Sequence, residues 1–345
     1  MTEHWFTQQA KTPDSSARES AITYQATLTK PAGSLGRLED IAIEFSAWQA
    51  RLKPRLETVQ VCIFAADHGV CQQGVSAFPQ EVTAQMVANF LTGGAAISVL
   101  ARHLDAQLQV INMGLVSPIG DADNLVNLGL APGTNDFTKE PAMSVDLMER
   151  AMLAGRDTVQ MNAHLFIGGD MGIGNTTSAS AIYSLLLDQS PEITVGPGTG
   201  VDAAGISAKQ KSLYQAFNLH AGKINSPLDI LSKVGGLEIA GLVGAYIGAA
   251  QAGVPILVDG FITTAAALLA VRINPTCREW MLFAHKSAEP AHALALQELD
   301  AQPLLDLGLC LGEGSGSAVA VPLIQNALSL NNEMATFAGA GVSDS

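Results

Sequence analysis

Several classes of protein are excluded by what this 345-residue sequence has little of. Lysine and arginine number only 18 against 32 aspartate and glutamate residues, which gives a formal charge of −14. So negative a balance argues against a nucleic-acid backbone or an anionic membrane as a partner. Charged residues make up 14% of the chain and hydrophobic residues 48%, a composition typical of a globular protein rather than a disordered one.

Cysteine is also scarce. The four cysteines, Cys62, Cys71, Cys277 and Cys310, form no C-x-x-C pair and no spacing typical of a zinc site. We therefore expect reduced thiols in a cytoplasmic protein. The first twenty residues lack a basic stretch followed by an apolar core, so no secretion signal is predicted.

Polar residues are nearly missing from 241–258, GLVGAYIGAAQAGVPILV, which is long enough to resemble a transmembrane helix. Gly253 and Pro255 interrupt this stretch, and no basic residues flank either end. These features favour a buried helix, a turn and a short strand.

What the sequence does contain is a regular alternation of apolar strands and helices. Strands are predicted within 58–67, 106–113, 165–167, 192–202, 255–259 and 279–289. A turn-rich excursion is expected at 114–143 and one long buried helix at 226–250. Such alternation predicts an α/β fold with a doubly wound parallel sheet.

Polar and glycine-rich segments follow the predicted strands, and in a parallel sheet the strand ends lie along one edge. The segments expected to line one crevice there are Asp67-His68, 168–177, 196–200, Asp259-Gly260 and 287–289.

The most distinctive of these segments is LFIGGDMGIGNTTSAS, 165–180, which predicts a strand, a glycine loop and a helix start. Glycines let backbone N–H groups approach an anion, and a helix N-terminus favours negative charge, so phosphate or carboxylate would suit this loop. The pattern is neither a Walker loop nor G-x-G-x-x-G. A plain tight turn between strand and helix fits it equally well.

Glu313 stands out near the end of the chain, because it lies among glycines in GEGSG, 312–316, ahead of an apolar helix. A carboxylate in this setting does not resemble part of a solvated face. A functional acid and a helix-capping acid both fit the pattern.

Six segments together resemble the nicotinate-nucleotide:dimethylbenzimidazole phosphoribosyltransferase family, which makes the lower-ligand nucleotide of cobalamin. In chain order they are KPAGSLGRLE, ADHGV with GVSAFPQEVTAQMV, DMGIGNTT, VDGFITTAAAL, HKSAE and LGLCLGEGSGSA. The resemblance covers nearly the whole chain.

The resemblance implies transfer of 5-phosphoribosyl from nicotinate mononucleotide to 5,6-dimethylbenzimidazole or a related base. The products would be nicotinate and α-ribazole 5′-phosphate, with inversion at the anomeric carbon. It also implies a homodimer without metal or organic cofactor, a Rossmann-like domain over 58–300 and a small helical domain built from 1–57 and 301–345.

Site residues follow from the same resemblance. Glu313 would be the general base. The nucleotide-binding residues would be Asp170, Gly172, Gly174, Asn175, Thr176, Gly198, Thr199, Lys209, Asp259, Gly260 and Ser287. The acceptor base would meet Phe78, Met86 and Leu311.

The sequence departs from the family pattern at three of these positions. Asp170 stands where the family usually has glutamate, so its contact with the ribose hydroxyls would be lost or bridged by water. Phe78 and Met86 stand where some members carry serine and glutamine, and neither side chain can hydrogen-bond a base. Adenine or a phenol therefore remain alternative acceptors.

Two other functions remain open from the residues alone. One is a hydrolase that uses Asp67 and His68, with His285 and Asp259 as the available further metal ligands. The other is a non-catalytic nucleotide sensor built on the same glycine loops. The pKa of Glu313 also stays open, because an apolar shell such as Leu311 would raise it and the following helix would lower it.

Overall fold

The computed structural model describes residues 4–198 and 200–343, and in this part of the chain six parallel strands form one sheet. The strands are β1 (Val59–Ala66), β2 (Gln107–Gly114), β3 (Leu125–Asn127), β4 (Leu165–Met171), β5 (Ile256–Val258) and β6 (Met281–Phe283). Their spatial order is β3-β2-β1-β4-β5-β6. This order is that of the doubly wound dinucleotide-binding fold. The predicted fold class is confirmed.

The helices pack on both faces of the sheet or join the chain ends. They are α1 (Ser15–Gln25), α2 (Arg37–Trp48), α3 (Val82–Thr92), α4 (Ala96–His103), α5 (Val145–Thr158), α6 (Asn175–Leu187), α7 (Pro191–Thr194), α8 (Ala203–His220), α9 (Pro227–Val234), α10 (Leu237–Ala252), α11 (Phe261–Ile273), α12 (His292–Glu298), α13 (Ser315–Glu333) and α14 (Phe337–Ala340). Short 3-10 turns occur at Trp5–Thr7, Gly69–Gln73 and Pro275–Trp280.

The central strands explain where a site can form. Every residue of β1, VQVCIFAA, is buried, as expected for a parallel strand that helices cover on both faces. Strand β1 pairs with β2 on one side and with β4 on the other. The chain order of the strands reverses between β1 and β4, and this switch point opens a crevice at their carboxyl ends.

The predicted strand within 192–202 is wrong, because residues 191–194 form α7. Pro191 occupies the first helical turn, where its fixed φ angle suits a helix and its missing N–H is not needed. The short strand β3 falls inside the predicted excursion, and it has only three residues to signal it.

The long helix predicted over 226–250 is two helices, α9 and α10, separated at Gly235 and Gly236. Gly236 is extended and precedes α10 directly. A Cβ at Gly236 would lie 2.5 Å from the His68 ring and from the Glu238 carboxylate. The break therefore lets Glu238 meet His68.

Helices α5 and α10 cross at unusually close range. A Cβ at Gly155 would overlap the carbonyl of Gly241, and a Cβ at Gly244 would overlap the carbonyl of Met152. The helix, turn and strand predicted within 241–258 are confirmed as the end of α10 and β5.

One described stretch, Val82–His103, is long and apolar enough to cross a membrane by length and composition alone. It is divided into α3 and α4, and Gly93 between them has a left-handed φ of +84°. Helices in the core of a protein pass the same test.

The two chain ends meet in one helical cluster, in which α2 packs against α1 and α13. Leu28 and Thr336 form an antiparallel bridge between the ends. The Gln25 amide donates to Asn331 Oδ1 at 2.9 Å. The first described residues run instead along the sheet domain, where the Asn274 amide donates to the carbonyls of Phe6 and Gln8.

Candidate active site

The glycine loop between β4 and α6 lies at the switch point. Gly174 has a φ of +96°, a left-handed conformation that favours glycine. A Cβ at Gly172 would lie 2.5 Å from the carbonyl oxygen of Ala66. The Ile173 N–H donates to Thr83 Oγ1 at 3.1 Å, which ties the loop to α3. The predicted order of strand, loop and helix is confirmed, but β4 continues through Gly168 and Gly169 to Met171, so the loop is only residues 172–174.

Asp170 lies near the end of β4, opposite Phe64 of β1, and only 7% of its surface is exposed. Its Oδ2 accepts a hydrogen bond from the Asn175 amide at 3.0 Å. Burial, reinforced by the charges of Asp259 and Glu238, raises the pKa of Asp170 to about 8. At neutral pH Asp170 is therefore largely protonated and able to donate a hydrogen bond.

Glu313 lies in a strained turn ahead of α13. Its φ is +64°, and its glycine neighbours Gly312 and Gly314 are also left-handed. The turn packs against β4 so closely that a Cβ at Gly169 would overlap the Glu313 carbonyl. A non-glycine residue in this region costs about 1–3 kcal/mol, and such residues recur at active sites. Ala50, Asp105, Asp188 and Asp300 also have a left-handed φ, each of them close to the end of a helix.

The Glu313 carboxyl group is buried, with 6% of the residue exposed, and Oε2 has no hydrogen-bond partner among the described residues. Burial raises its pKa, the Ile97 N–H of α4 opposes this shift, and the Asp259 charge adds to it. Burial therefore raises the pKa of Glu313, a direction that the sequence alone did not determine. Leu311 does not provide the apolar shell, because it is 59% exposed.

Asp259 follows β5 and is fully buried. Its Oδ1 accepts the Ser317 N–H at 2.6 Å, so this carboxylate caps the first turn of α13. His285 Nε2 lies 3.8 Å from the same oxygen. Gly260 leaves room for the ring, since a Cβ there would lie 3.1 Å from His285 Nε2. Asp259 thus anchors the helix that follows Glu313.

Lys209 reaches the glycine loops from α8 and is only 1% exposed. Its ammonium donates to Thr176 Oγ1 at 3.0 Å and to the Gly196 carbonyl at 3.2 Å. Gly198 is left-handed, with a φ of +55°, and a Cβ there would lie 2.8 Å from both Lys209 Nζ and Thr176 Oγ1. Thr199, also predicted to bind nucleotide, lies outside the described residues.

The loop after β6 places Ser287 on the same edge. The Ser287 N–H donates to His292 Nδ1 at 2.9 Å, and the His292 Nε2 lies 2.9 Å from Thr264 Oγ1. Burial lowers the pKa of His292 to about 3, so this ring stays neutral. A neutral ring that accepts at Nδ1 carries its proton at Nε2, which fixes the loop that presents Ser287.

A cavity of about 60 Å³ collects many of the predicted site residues, but Glu313 is not among the residues that line it. Those lining it are Asp170, Asn175, Thr176, Gly198, Gly260, Ser287 and Leu311, together with His285, Glu289, Cys310 and others. Pockets for small ligands usually measure about 300–1,000 Å³, so this cavity must widen to hold a nucleotide. A larger cleft of about 860 Å³ between α1, α2 and β6 contains none of the predicted residues.

The residues predicted to meet the acceptor base are less closely gathered. Leu311 lines the cavity, but Phe78 and Met86 do not. Phe78 is 50% exposed on the loop before α3, whereas Met86 is partly buried against the core. Met86 follows Thr83 by one helical turn, so both side chains lie on the face of α3 that meets the glycine loop.

His68 has a different role from the one that a hydrolase would need. Its Nε2 lies 2.7 Å from Glu238 Oε1 and its Nδ1 lies 3.1 Å from Ser178 Oγ, so neither ring nitrogen is available to a metal. No cluster of three or more His, Cys, Asp or Glu residues suited to a metal occurs in the described part of the chain. Glu238 was not predicted from the sequence, although a lone acidic residue in an otherwise apolar helix could have indicated a buried polar contact.

Comparison with known proteins identifies the family to which this architecture belongs. A family model described as "Phosphoribosyltransferase" matches residues 10–342. The chain belongs to this family. The resemblance inferred from the six segments is confirmed, and this phosphoribosyltransferase is an enzyme of the transferase class.

Relatives of this phosphoribosyltransferase match it from end to end. A protein of Pseudomonas fluorescens strain SBW25 is 53% identical over 348 residues, covering 100% of this chain and 99% of its own. One of Xanthomonas axonopodis pv. citri is 51% identical, with 100% of both covered. Both are named nicotinate-nucleotide–dimethylbenzimidazole phosphoribosyltransferase. The crystal structure of CobT from Thermus thermophilus superposes with a TM-score of 0.91 at 43% identity, covering 96% of this chain and 100% of that one.

Proposed function

We propose that this enzyme transfers 5-phosphoribosyl from nicotinate mononucleotide to 5,6-dimethylbenzimidazole or a related base, forming α-ribazole 5′-phosphate and nicotinate. The names of its relatives support the substrates. The observation that carries the chemistry is Glu313, a buried acid on a strained backbone with one carboxyl oxygen unpartnered among the described residues.

The reaction needs one proton acceptor. The leaving nitrogen of nicotinate mononucleotide already carries pyridinium charge, so its bond to C1′ breaks with the electron pair going to the ring, and no acid is required. The unprotonated nitrogen of the azole attacks the opposite face of C1′ with its lone pair, and the other ring nitrogen loses its proton. Glu313 Oε2 takes that proton, and a raised pKa makes it a stronger base.

We propose that the nucleotide lies along the glycine loops. The residues assigned to it are Asp170, Gly172, Gly174, Asn175, Thr176, Gly198, Thr199, Lys209, Asp259, Gly260 and Ser287. Asp259 would act from beneath the site, because it is fully buried. Asp170, largely protonated at neutral pH, would donate a hydrogen bond toward the ribose hydroxyls directly or through water.

The acceptor base would meet Phe78, Met86 and Leu311, with adenine or a phenol as alternative acceptors. The exposed Phe78 ring offers a flat apolar face and Leu311 an aliphatic contact, both without fixed hydrogen bonds. Such a surface suits a methylated arene. A non-catalytic sensor is less well supported, since a site that only binds has no use for a general base at Glu313.

The direct test follows nicotinate release by chromatography from nicotinate mononucleotide mixed with 5,6-dimethylbenzimidazole, benzimidazole, adenine or phenol. We expect release with an azole and a product of the coupled mass. Glu313→Gln should fold normally and lose about 10²- to 10⁴-fold in kcat, because the azole proton has no acceptor.

Glu333→Gln is the matched control, since Glu333 is exposed at the far end of α13. It should turn over like the wild type. A Glu313→Gln variant with wild-type kcat would remove Glu313 from the mechanism, and nucleotide binding without release by any acceptor would favour the sensor.

We also propose a homodimer that works in the cytoplasm without a metal or organic cofactor. Its chain would divide into a Rossmann-like domain over 58–300 and a small helical domain from 1–57 and 301–345. The helical cluster at the chain ends supports this division, although the N-terminal stretch bonded to Asn274 extends along the large domain.

A further inference from the structure

A buried cation and a buried carboxylate both contact the second glycine loop. Lys209 donates to two neutral oxygens, Thr176 Oγ1 and the Gly196 carbonyl. Glu289, at the end of the loop after β6, is 7% exposed and accepts the Gly198 N–H at 2.9 Å through Oε1. The loop from Gly196 to Gly198 is therefore held by both residues.

Thr176 links Lys209 to the cavity. Lys209 does not line the cavity, whereas Thr176 does. Because Thr176 Oγ1 accepts a hydrogen bond from the ammonium, its own hydrogen is free to be donated elsewhere. A hydroxyl that a cation polarises in this way is a stronger donor toward an anion.

Glu289 is packed so that its charge acts on the loop. A Cβ at Gly196 would overlap Glu289 Oε2, and this oxygen has no hydrogen-bond partner among the described residues. The loop thus requires glycine where the carboxylate approaches it. The Gly196 carbonyl beside it is the same one that accepts from Lys209.

Glu289 is also the charged group that supports the Lys209 cation. Burial lowers the pKa of Lys209, and the Glu289 charge raises it. The other elements packed against α8 supply Cys71 from the 3-10 turn, Tyr183 from α6 and Glu192 from α7. Burial raises the pKa of Cys71 to about 12 and the pKa of Tyr183 well above its ordinary value, so both stay neutral. Glu192 is at the surface, bonded to Tyr214.

We propose that Glu289 is a positioning residue for the nucleotide phosphate: it fixes Gly198 and keeps Lys209 cationic, so that Thr176 presents a polarised hydroxyl to the phosphate. The inference rests on the proposed function, because the phosphate belongs to nicotinate mononucleotide. Glu289 lines the cavity as well as touching the loop, and its proposed action on the phosphate runs through Lys209 and Thr176.

The test separates charge from hydrogen bonding at this position. Glu289→Gln keeps an acceptor for the Gly198 N–H and removes the charge, whereas Glu289→Asp keeps the charge and shortens the side chain. Glu192→Gln is the matched control, because it removes one exposed carboxylate near the same loop. Steady-state kcat and KM are measured for each variant between about pH 6 and pH 10, and folding is checked by circular dichroism.

In Glu289→Gln we expect the KM for nicotinate mononucleotide to rise about tenfold or more with kcat changed less than about twofold. The KM for dimethylbenzimidazole should not change. Without the Glu289 charge, Lys209 loses its proton at lower pH, so the alkaline rise of the nucleotide KM should begin at lower pH. Glu289→Asp should keep that rise at its wild-type position, and Glu192→Gln should match the wild type throughout.

Two results would overturn the proposal. One is an unchanged or lower nucleotide KM in Glu289→Gln, which would mean that the carboxylate only repels the phosphate. The other is a KM raised equally at every pH, which would reduce Glu289 to a structural role. A wild-type enzyme that releases no nicotinate would instead count against the proposed function, and calorimetric binding of the nucleotide to each variant would then decide the role of Glu289 separately.

Discussion

At the scale of single residues, Glu313 combines a left-handed backbone with a buried carboxyl group. The strain persists because the flanking glycines and the close contact with Gly169 fix the turn. The backbone therefore places Oε2 without a hydrogen bond to hold that oxygen. Both features favour a general base that accepts a proton from the acceptor base.

The pKa of Glu313 leads to a prediction about pH. Because burial raises it, kcat should rise with pH through a midpoint above about 4.3, the ordinary value for glutamate. The measurement is kcat with saturating substrates from about pH 4 to pH 9. Glu313→Gln should lose this acid-side limb, and a wild-type midpoint at or below the ordinary value would contradict the assignment.

Asp170 leads to a prediction about stability. Its pKa is about 8 in the native state, whereas the ordinary pKa of aspartate is about 3.9. Between these two pH values the native state therefore holds a proton on Asp170 that the unfolded state has lost. The stabilisation is complete below the lower value and is lost as the pH rises toward 8. Asp170→Asn, which stays neutral, should gain thermal stability relative to the wild type on going from about pH 5 to about pH 9.

The measurement is Tm by calorimetry at both pH values, and the gain should be at least about 2 °C. The Asn oxygen can still accept from Asn175, so the local hydrogen bond is retained. An offset between the variant and the wild type that is equal at both pH values would show that Asp170 ionises normally.

At the scale of elements, the crossing of α5 and α10 depends on glycine. Gly244→Ala should lower the free energy of unfolding by about 1–3 kcal/mol, because its Cβ would overlap the Met152 carbonyl. Denaturant unfolding measures the loss. Gly248→Ala, in the same helix, meets mainly the flexible Arg156 side chain and should cost less. Helix propensity alone would favour alanine in both variants, so equal losses in both would contradict a specific role for the Gly244 contact.

The elements also show what sequence alone can specify. Strands such as β1 and β4 are predictable because an uninterrupted apolar run ends in polar residues or glycine. The short helix α7 is not, because an apolar run of two or three residues fits either structure until Pro191 decides it. The break between α9 and α10 was signalled by Gly235 and Gly236, but its purpose needed the His68 contact.

The site, too, has features that the sequence predicts and features that only the structure shows. Topology gathered Asp170, Asn175, Gly260 and Ser287 at one edge, as the strand ends predicted. Burial could not be predicted, because it depends on side chains distant in sequence. Thus the direction of the Glu313 pKa, the cap that Asp259 gives α13 and the support of Lys209 by Glu289 required the structure.

At the scale of the whole molecule, we expect two copies to associate. Phe78, Leu307 and Leu311 are each at least half exposed, so these side chains are accessible to a second copy of the chain. Sedimentation equilibrium should give twice the chain mass of 35.9 kDa. Phe78→Ser should weaken the association if this ring is covered, with Val145→Ser, at an exposed position on α5, as the control. A mass of one chain at micromolar concentration would contradict the dimer.

The acids buried around Asp170 have a consequence for the molecule as a whole. With Asp170 protonated at neutral pH, the protein carries less negative charge than the formal count of −14. An anion that binds beside these acids increases their affinity for protons still further. We therefore expect that binding of the nucleotide takes up part of a proton from the buffer, so that the heat of binding depends on the ionisation enthalpy of the buffer.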